Sequence, residues 1–292
     1  MKILLAGETF AATTSVAIGS DVLTSAASAN GATAFNAALA TEGIAVTQIG
    51  GERCGAEFPY DLDGLAQYQA VVISDVGALT LLVTPDARAG RVGVNRLDVL
   101  KAYVEGGGGL MLAGGYMGFQ GMFGTARFHD TPVEDVLPVR CLPYCDGMEV
   151  PQGLQASILQ SSHPIFSGVE GPLPPILGMN KLEFRRDGSS RLLATCHHRG
   201  TDWPLLAVGS HGRGRTIAWA TDIGPHWLSQ DFLGWPFYGR FDQCGCPILQ
   251  RKTRLSSMRG IRTAVAHKPK PRCIDRMSHD LSQEACLGLH AM

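Results

Sequence analysis

Three short, continuous runs of apolar residues constrain the fold more than any other feature of this sequence. They lie at residues 2–6, 70–74 and 110–113. Runs of this length without polar alternation are typical of strands that a parallel sheet buries on both faces. Segments with apolar residues at helical spacing, 32–42 and 94–105, precede further strands and end at glycine. The alternation of strand and helix predicts an α/β fold around a mostly parallel sheet.

The pattern changes after about residue 138. Residues 192–195, 204–208 and 215–220 are predicted strands, and the glycine-rich turn at 209–214 joins the last two into a hairpin. An earlier apolar run at 44–49 is a further predicted strand. Because the strands of a hairpin are antiparallel, we expect an antiparallel extension at one side of the parallel sheet.

Composition excludes several other classes of protein. Of the 292 residues, 45% are hydrophobic, which supports a large core and excludes a wholly disordered chain. The formal net charge of −1 gives no overall attraction to nucleic acid or to an anionic membrane. No apolar run approaches the roughly 18 residues of a membrane-spanning helix, and the stretch before Glu8 is too short for a signal peptide. We therefore expect a cytoplasmic protein without nucleic-acid or membrane partners.

Residues 243–292 differ in composition from the rest of the chain. They hold nine Lys and Arg against three Asp and Glu, together with four of the eight cysteines. Their apolar residues follow neither a strand nor a helix period, and three prolines interrupt them. The spacing of Cys244 and Cys246 fits no standard zinc site, so no metal is expected. The sequence thus predicts one domain at 1–242 and a basic, Cys-rich, poorly ordered tail at 243–292.

Polar side chains follow four of the predicted strands. They are Glu8, Asp75, Tyr116, and Asp222 with His226. In an open parallel sheet, ligands bind in the crevice outside the carboxyl ends of the strands. We therefore expect these side chains to line a shared crevice. The alternative is that the acidic groups cap helices or accept hydrogen bonds from loop amides.

The segment GGYMGFQ at 114–120 is the most specific local motif. A strand followed by Gly-x-nucleophile-x-Gly forms a nucleophile elbow, whose glycines allow a tight turn that presents one side chain. Here that side chain is Tyr116. The spacing is similar to the elbow of class I glutamine amidotransferases, Gly-x-Cys-x-Gly-x-Gln. Gly114, Gly118 and Gln120 match that pattern, whereas Tyr116 occupies the position of the cysteine.

Two departures from that pattern predict a protein without glutaminase activity. A phenol is too weak an acid to replace a low-pKa thiolate in thioester chemistry. Class I amidotransferases also pair their cysteine with His-Pro-Glu after a late strand. Here the late strand leads into DIGPHW at 222–227, and no glutamate stands two places beyond His226.

Longer stretches extend the likeness over roughly residues 1–241. The motifs SDVG at 74–77, TPVEDVLPV at 131–139 and EVPQG at 149–153 stand in order around the elbow. With them the chain resembles a family of glutamine amidotransferase-like cytoplasmic proteins, related in fold to trehalose-utilisation proteins and β-galactosidase trimerisation domains. The resemblance implies a flavodoxin-like, class I amidotransferase-type three-layer sandwich and no particular reaction. The family tends to carry Asp-Asp-Arg-x-Glu where this chain has CDGME at 145–149, without the arginine.

Two functions remain open at this stage. The first is a binding or assembly module that takes a small polar ligand, sugar-like or amide, with a homo-oligomer as one form of assembly. Its predicted ligand-binding residues are Glu8, Asp75, Gly115, Phe119, Glu149 and Trp227. The second is a hydrolase or sugar-metabolism enzyme in which His226 is general acid or base, Asp222 orients it and Tyr116 assists. No cofactor is expected for either function.

Overall fold

The computed structural model of this chain describes residues 1–238, so the predicted tail at 243–292 lies outside the described residues. In the described part the strands are, in chain order, β1 (Lys2–Gly7), β2 (Thr9–Ile18), β3 (Asp21–Asn30), β4 (Ala45–Ile49), β5 (Ala70–Ser74), β6 (Gly109–Ala113), β7 (Val139–Cys141), β8 (Gly147–Leu154), β9 (Ala156–Ile158), β10 (Ile176–Asn180), β11 (Leu182–Phe184), β12 (Ser190–His198), β13 (Thr201–His211) and β14 (Gly214–Trp219). The α-helices are α1 (Thr33–Thr41), α2 (Gly51–Glu57), α3 (Leu62–Ala66), α4 (Ala78–Leu82), α5 (Pro85–Arg88), α6 (Arg96–Glu105), α7 (Pro132–Val136) and α8 (Gln230–Leu233). Through residue 238, no helix is long and apolar enough to cross a membrane.

Eight strands form the central sheet, in the order β4-β1-β5-β6-β14-β13-β12-β9. The first five of these run parallel to one another, and β13, β12 and β9 continue the sheet in antiparallel pairs. The predicted fold, a mostly parallel sheet with an antiparallel extension, is confirmed. The hairpin predicted around 209–214 is the β13–β14 pair, closed at His211 and Gly214.

The central strands are covered on both faces. Every residue of β5 and β6 is buried, as is β1 after its first residue. The chain runs from β1 to β4 at one side and then to β5 and β6 at the other, so right-handed crossovers place helices on both faces of the sheet. The direction of winding therefore reverses between β1 and β5. At this position, outside the carboxyl ends of the strands, open α/β sheets bind their ligands.

Helix boundaries follow local capping signals. The helix predicted at 94–105 begins two residues later, because the Asn95 side chain caps α6 by accepting a hydrogen bond from the Leu97 amide at 3.0 Å. Val94 precedes that cap and is exposed. The helix predicted at 32–42 is α1, and Gly43 follows its end with a left-handed φ of +70°.

Arg96 is fully buried at the start of α6. Its five N–H donors bond to five backbone carbonyls at 2.6–3.1 Å. The carbonyls belong to Cys54, Gly55, Phe58, Thr80 and Leu81, in or next to α2 and α4. A buried guanidinium is tolerated when all its donors are engaged, so this side chain joins α6 to the helices that follow β4 and β5.

The β2–β3 hairpin has no counterpart in the sequence-based prediction. Its ten residue pairs run from Thr9 and Asn30 to Ile18 and Asp21, around a turn at Gly19, whose φ is +64°. Its strands consist mostly of Ala, Thr and Ser, and every residue after Thr9 is exposed. Because neither face is buried, the hairpin lacks the apolar–polar alternation from which half-buried strands are predicted.

Candidate functional site

Four neighbouring strands bring the predicted site residues to one edge of the sheet. Glu8 follows β1, Asp75 follows β5, Tyr116 follows β6 and Asp222 follows β14. These strands are adjacent in the order β1-β5-β6-β14 and parallel, so their carboxyl ends meet. Four predicted site residues at this edge have a left-handed φ although they are not glycine: Glu8, Asp75, Phe119 and His226. Backbone strain of this kind is concentrated at functional sites.

The elbow after β6 is built on glycines that have no room for a side chain. A Cβ at Gly114 would collide with the Ala220 carbonyl, and one at Gly118 with the Ala113 carbonyl. Gly115 has a φ of +133°, and a Cβ there would collide with the Asp75 carboxylate. The turn presents Tyr116, which is 43% exposed. The elbow thus has the expected shape, with a phenol at its tip.

Asp75 is hydrogen bonded to the backbone amide that follows Tyr116, at the tip of the elbow. Its Oδ1 accepts a hydrogen bond from the Met117 amide at 2.9 Å. Burial raises the pKa of Asp75, while the amides of Met117 and Tyr116 and the charge of His226 oppose that rise. In elbow hydrolases the amide of the residue after the nucleophile is one donor of the oxyanion hole. In this chain the corresponding amide, that of Met117, already donates a hydrogen bond to the Asp75 carboxylate.

Asn180 and Asp146 hold the backbone of the elbow through hydrogen bonds. The sequence predicted neither role. Asn180 Oδ1 accepts from the Gly115 amide at 3.0 Å, and its Nδ2 donates to Asp146 at 2.8 Å. Asp146 also accepts from the amides of Gln120 at 2.9 Å and Gly121 at 2.8 Å. Both side chains are fully buried. They come from β10 and the loop before β8, and no local motif links those segments to the elbow.

Glu8 and Asp222 form a buried carboxyl pair below the crevice. Ser74 Oγ donates to Glu8 Oε1 at 2.5 Å, and Asp222 Oδ1 accepts from the amides of Ile223 at 2.7 Å and Gly224 at 3.1 Å. Burial raises the pKa of Glu8 to about 7, and the pKa of Asp222 is raised by burial and by the neighbouring Glu8. Two such carboxyls cannot both carry charge without cost, so the pair holds a proton near neutral pH.

A second, exposed group of side chains lies around Tyr116. The Tyr116 hydroxyl oxygen is 3.3 Å from His226 Nε2, and that nitrogen is 3.4 Å from Glu149 Oε1. The Trp227 indole nitrogen donates to the same Glu149 oxygen at 2.9 Å. Burial raises the pKa of Tyr116, and Glu149 and Asp75 raise it further.

The predicted pairing of His226 with Asp222 is corrected by this geometry. The carboxylate beside the imidazole is Glu149 of β8, whereas Asp222 is buried and folds back onto the amides of Ile223 and Gly224. The intervening turn gives His226 a φ of +101°, which directs it away from Asp222 and toward the exposed side of the elbow.

Three predicted ligand contacts also change their role. Phe119 and Trp227 are fully buried, and Gly115 is buried with both its amide and its carbonyl bonded to Asn180. Trp227 packs edge-on to Tyr116 with ring centroids 6.0 Å apart. We therefore assign these residues to the support of the elbow. Glu8 is likewise buried, which leaves Tyr116, His226 and Glu149, with part-buried Asp75, facing the crevice.

A cleft of about 400 Å³ begins at Glu149. Its walls include Lys181, His198, Arg199 and Trp203, from the segments around β10, β12 and β13. Clefts of 300–1,000 Å³ hold small molecules in proteins. Of the exposed group at the elbow, Glu149 lines this cleft, whereas Tyr116 and His226 do not.

Comparison with known proteins agrees with this fold. The family model described as "Putative glutamine amidotransferase" matches residues 2–249. The chain belongs to this glutamine amidotransferase-like family. It is similar to two solved structures, the cytoplasmic proteins STM3548 and STM1381 from Salmonella typhimurium, at 31% and 32% identity. Each match has a TM-score of 0.80 and covers 86% of this chain and 100% of the other. No curated protein matches the sequence.

Proposed function

We propose that this member of the glutamine amidotransferase-like family binds a small polar ligand at the elbow and has no glutaminase activity. The observation that carries the proposal is the hydrogen bond from the Met117 amide to Asp75. An oxyanion hole needs a free amide at that place to stabilise a developing negative charge. Here the Met117 amide already donates to the Asp75 carboxylate, and the charge of that carboxylate would also repel an oxyanion.

Three of the four cysteines in the described chain are buried, and the fourth, Cys145, is exposed and lies outside the elbow. Tyr116 stands at the nucleophile position, and burial raises the pKa of both Cys54 and Cys196 to about 12. Burial also raises the pKa of Cys141. Reactive cysteines have a lowered pKa and partial exposure. These three thiols have the opposite properties.

The exposed group favours a ligand with hydroxyl or amide groups. Tyr116 offers a hydroxyl and an aromatic ring, His226 offers a donor or acceptor, and Glu149 offers carboxylate oxygens. Hydroxyls of a sugar or the amide of a small molecule match this combination of donors and acceptors. The relatives of known structure are named cytoplasmic proteins, so we propose a cytoplasmic ligand.

An acid–base enzyme is the second candidate, and the contact between His226 and Glu149 favours it. A carboxylate 3.4 Å from an imidazole nitrogen can hold the ring in one tautomer and one orientation. In this form of the hypothesis Glu149 takes the role that was predicted for Asp222. A bell-shaped pH dependence of glycoside or amide hydrolysis, lost in His226→Ala, would establish it.

The binding proposal is tested by thermal unfolding of the full chain with D-glucose, D-galactose or L-glutamine as probes. A probe at ten times its dissociation constant stabilises the folded state by about 1.4 kcal/mol, which raises the Tm by about 3–6 °C. We expect Glu149→Gln and Tyr116→Phe to reduce that rise, because the first removes the charge and one acceptor oxygen of the carboxylate and the second removes the phenolic hydroxyl. The matched control is Glu170→Gln, at an exposed carboxylate elsewhere on the chain. Equal rises in all four proteins would contradict the proposal.

A further inference from the structure

The cleft that begins at Glu149 is rich in cationic and aromatic side chains. Its lining includes Lys181, which follows β10, and His198, Arg199, Thr201 and Trp203, from the adjoining ends of β12 and β13. Among the described residues that line it, Glu149 is the only carboxylate. Two side chains with a fixed positive charge, Lys181 and Arg199, therefore share the cleft with one negative charge.

The ammonium group of Lys181 has no hydrogen-bond or ion-pair partner within residues 1–238, although the residue is half-buried. The other two lysines of that range are engaged, since Lys2 donates to Gln67 at 3.1 Å and Lys101 pairs with Asp135 at 2.7 Å. A positive charge that is partly removed from water and has no counter-charge favours the binding of an anion.

The positive and negative ends of the cleft are separated along the β8–β10 pair. Glu149 lies opposite Gly178 in the register, three residues before Lys181. At about 3.3 Å per residue, this places the two backbone positions roughly 10 Å apart. The Lys181 amide donates to the Asp146 carbonyl at 2.9 Å, which fixes the backbone at the positive end.

The β12–β13 hairpin carries charge of both signs on one face only. His197 lies opposite Asp202, and the two side chains pair at 2.8 Å. The next cross-strand pair, His198 opposite Thr201, points to the other face and lines the cleft together with Trp203. Trp203 also packs against the hydrophobic core, so its indole is a fixed apolar wall. The face toward the cleft thus offers hydrogen-bonding groups and a ring, without a carboxylate of its own.

Arg199 stands at the tip of this hairpin, followed by Gly200. Both residues have a left-handed φ, +48° and +79°, as a two-residue type I′ turn requires. Asn, Asp or Gly is the usual residue at the first position of such a turn, so the turn itself does not account for an arginine. Its guanidinium forms no ion pair within the described residues, and this group can bind two oxygens of a phosphate or carboxylate at once.

We propose that this cleft binds an anionic sugar derivative, with its phosphate or carboxylate group held by Lys181 and Arg199 and its ring against Trp203. The two cations select the anionic group, the indole offers apolar surface to the ring, and His198 and Thr201 can bond to hydroxyls. A volume of about 400 Å³ suits a ligand of this size. The cleft is a site beyond the one proposed at the elbow, because Tyr116 and His226 do not line it.

The test is titration calorimetry of the full chain with D-glucose 6-phosphate, D-glucuronate and D-glucose, which differ only at C6. We expect an anionic probe to bind about tenfold more tightly than D-glucose, and Lys181→Gln and Arg199→Gln each to raise its Kd about tenfold. The matched control is Arg191→Gln, which removes an exposed charge near the other end of β12 and should bind like the wild type. Binding of D-glucose 6-phosphate alone would assign a phosphate ligand, and binding of D-glucuronate alone a carboxylate ligand.

Glu149→Gln separates the cleft from the elbow. It removes the negative charge of the cleft and should lower the Kd of the anionic probe by about threefold at low salt, whereas it should weaken a neutral ligand at the elbow. Anionic probes that bind no more tightly than D-glucose at millimolar concentrations would overturn the proposal, as would binding that neither Lys181→Gln nor Arg199→Gln weakens. Weakening by Tyr116→Phe but not by Lys181→Gln would place the probe at the elbow, which overturns the cleft site and leaves the proposed function standing.

Discussion

The carboxyl edge of the sheet contains two layers of polar side chains that differ in burial and in partners. Glu8, Asp146 and Asp222 form the buried layer and accept hydrogen bonds from backbone amides or other buried side chains. Tyr116 and His226 belong to the exposed layer and contact one another and Glu149. Within the buried layer Asp146 holds the backbone of the elbow, while Glu8 and Asp222 accept hydrogen bonds from the end of β5 and from the turn after β14. The exposed layer is available to a ligand.

Asp75 lies at the border between the layers. It is part-buried and it accepts a hydrogen bond from the Met117 amide. Burial raises its pKa, and the nearby His226 opposes that rise. Polar residues that follow neighbouring strands therefore need not have the same function. Substitutions in the buried layer should therefore change stability, and substitutions in the exposed layer should change binding.

The largest effect on stability is expected for Asp146→Ala. The change removes the acceptor of three buried donors, on Gln120, Gly121 and Asn180, and should reduce the free energy of unfolding by about 3 kcal/mol. Asp146→Asn keeps one acceptor oxygen and should cost less. Tyr116→Phe, in the exposed layer, should stay within about 0.5 kcal/mol of the wild type. Urea unfolding of the full chain measures all three, and equal losses for Asp146→Ala and Tyr116→Phe would contradict the division into layers.

A smaller, pH-dependent effect is expected for Glu8→Gln. The pKa of Glu8 rises from 4.5 to about 7 in the folded chain, so the folded state binds this proton more tightly than the unfolded state does. The resulting stabilisation is complete below pH 4.5 and is lost as the pH rises through 7, by on the order of 2–3 kcal/mol. Glu8→Gln cannot titrate, and its stability should fall less than that of the wild type between pH 4.5 and 8.

Urea unfolding at several pH values checks this expectation. The control is Glu170→Gln, which changes an exposed glutamate and should leave the wild-type slope unaltered. The same slope in Glu8→Gln and in the wild type would show that the buried carboxyl pair holds no proton across this range.

The sequence predicted the sheet and the positions of the strand-end residues because these depend on local patterns. A continuous apolar run such as β5 identifies a strand covered on both faces, and the residue after it is placed by the strand itself. Glu8, Asp75 and Tyr116 were found in this way. The glycines of the elbow were found because the turn has no room for a Cβ at Gly114 or Gly118.

The partners of these residues could not be predicted, because they come from distant parts of the chain. Glu149 is 77 residues before His226, and Asn180 is 65 residues after Gly115. Asp222 lies four residues from His226 in sequence, yet the strained turn between them separates a buried carboxylate from an exposed imidazole. Proximity in sequence therefore predicted the wrong carboxylate beside His226, because tertiary packing places Glu149 there.

The central claim is that the elbow is not a glutaminase site because Asp75 occupies its backbone amide. The most direct measurement is glutamate release from L-glutamine by the full chain, by Tyr116→Cys and by Tyr116→Cys combined with Asp75→Ala. We expect no release above the protein-free rate from the wild type or from Tyr116→Cys, because a restored thiol still lacks the Met117 donor. Glutamate release by the wild type or by Tyr116→Cys alone would contradict the account.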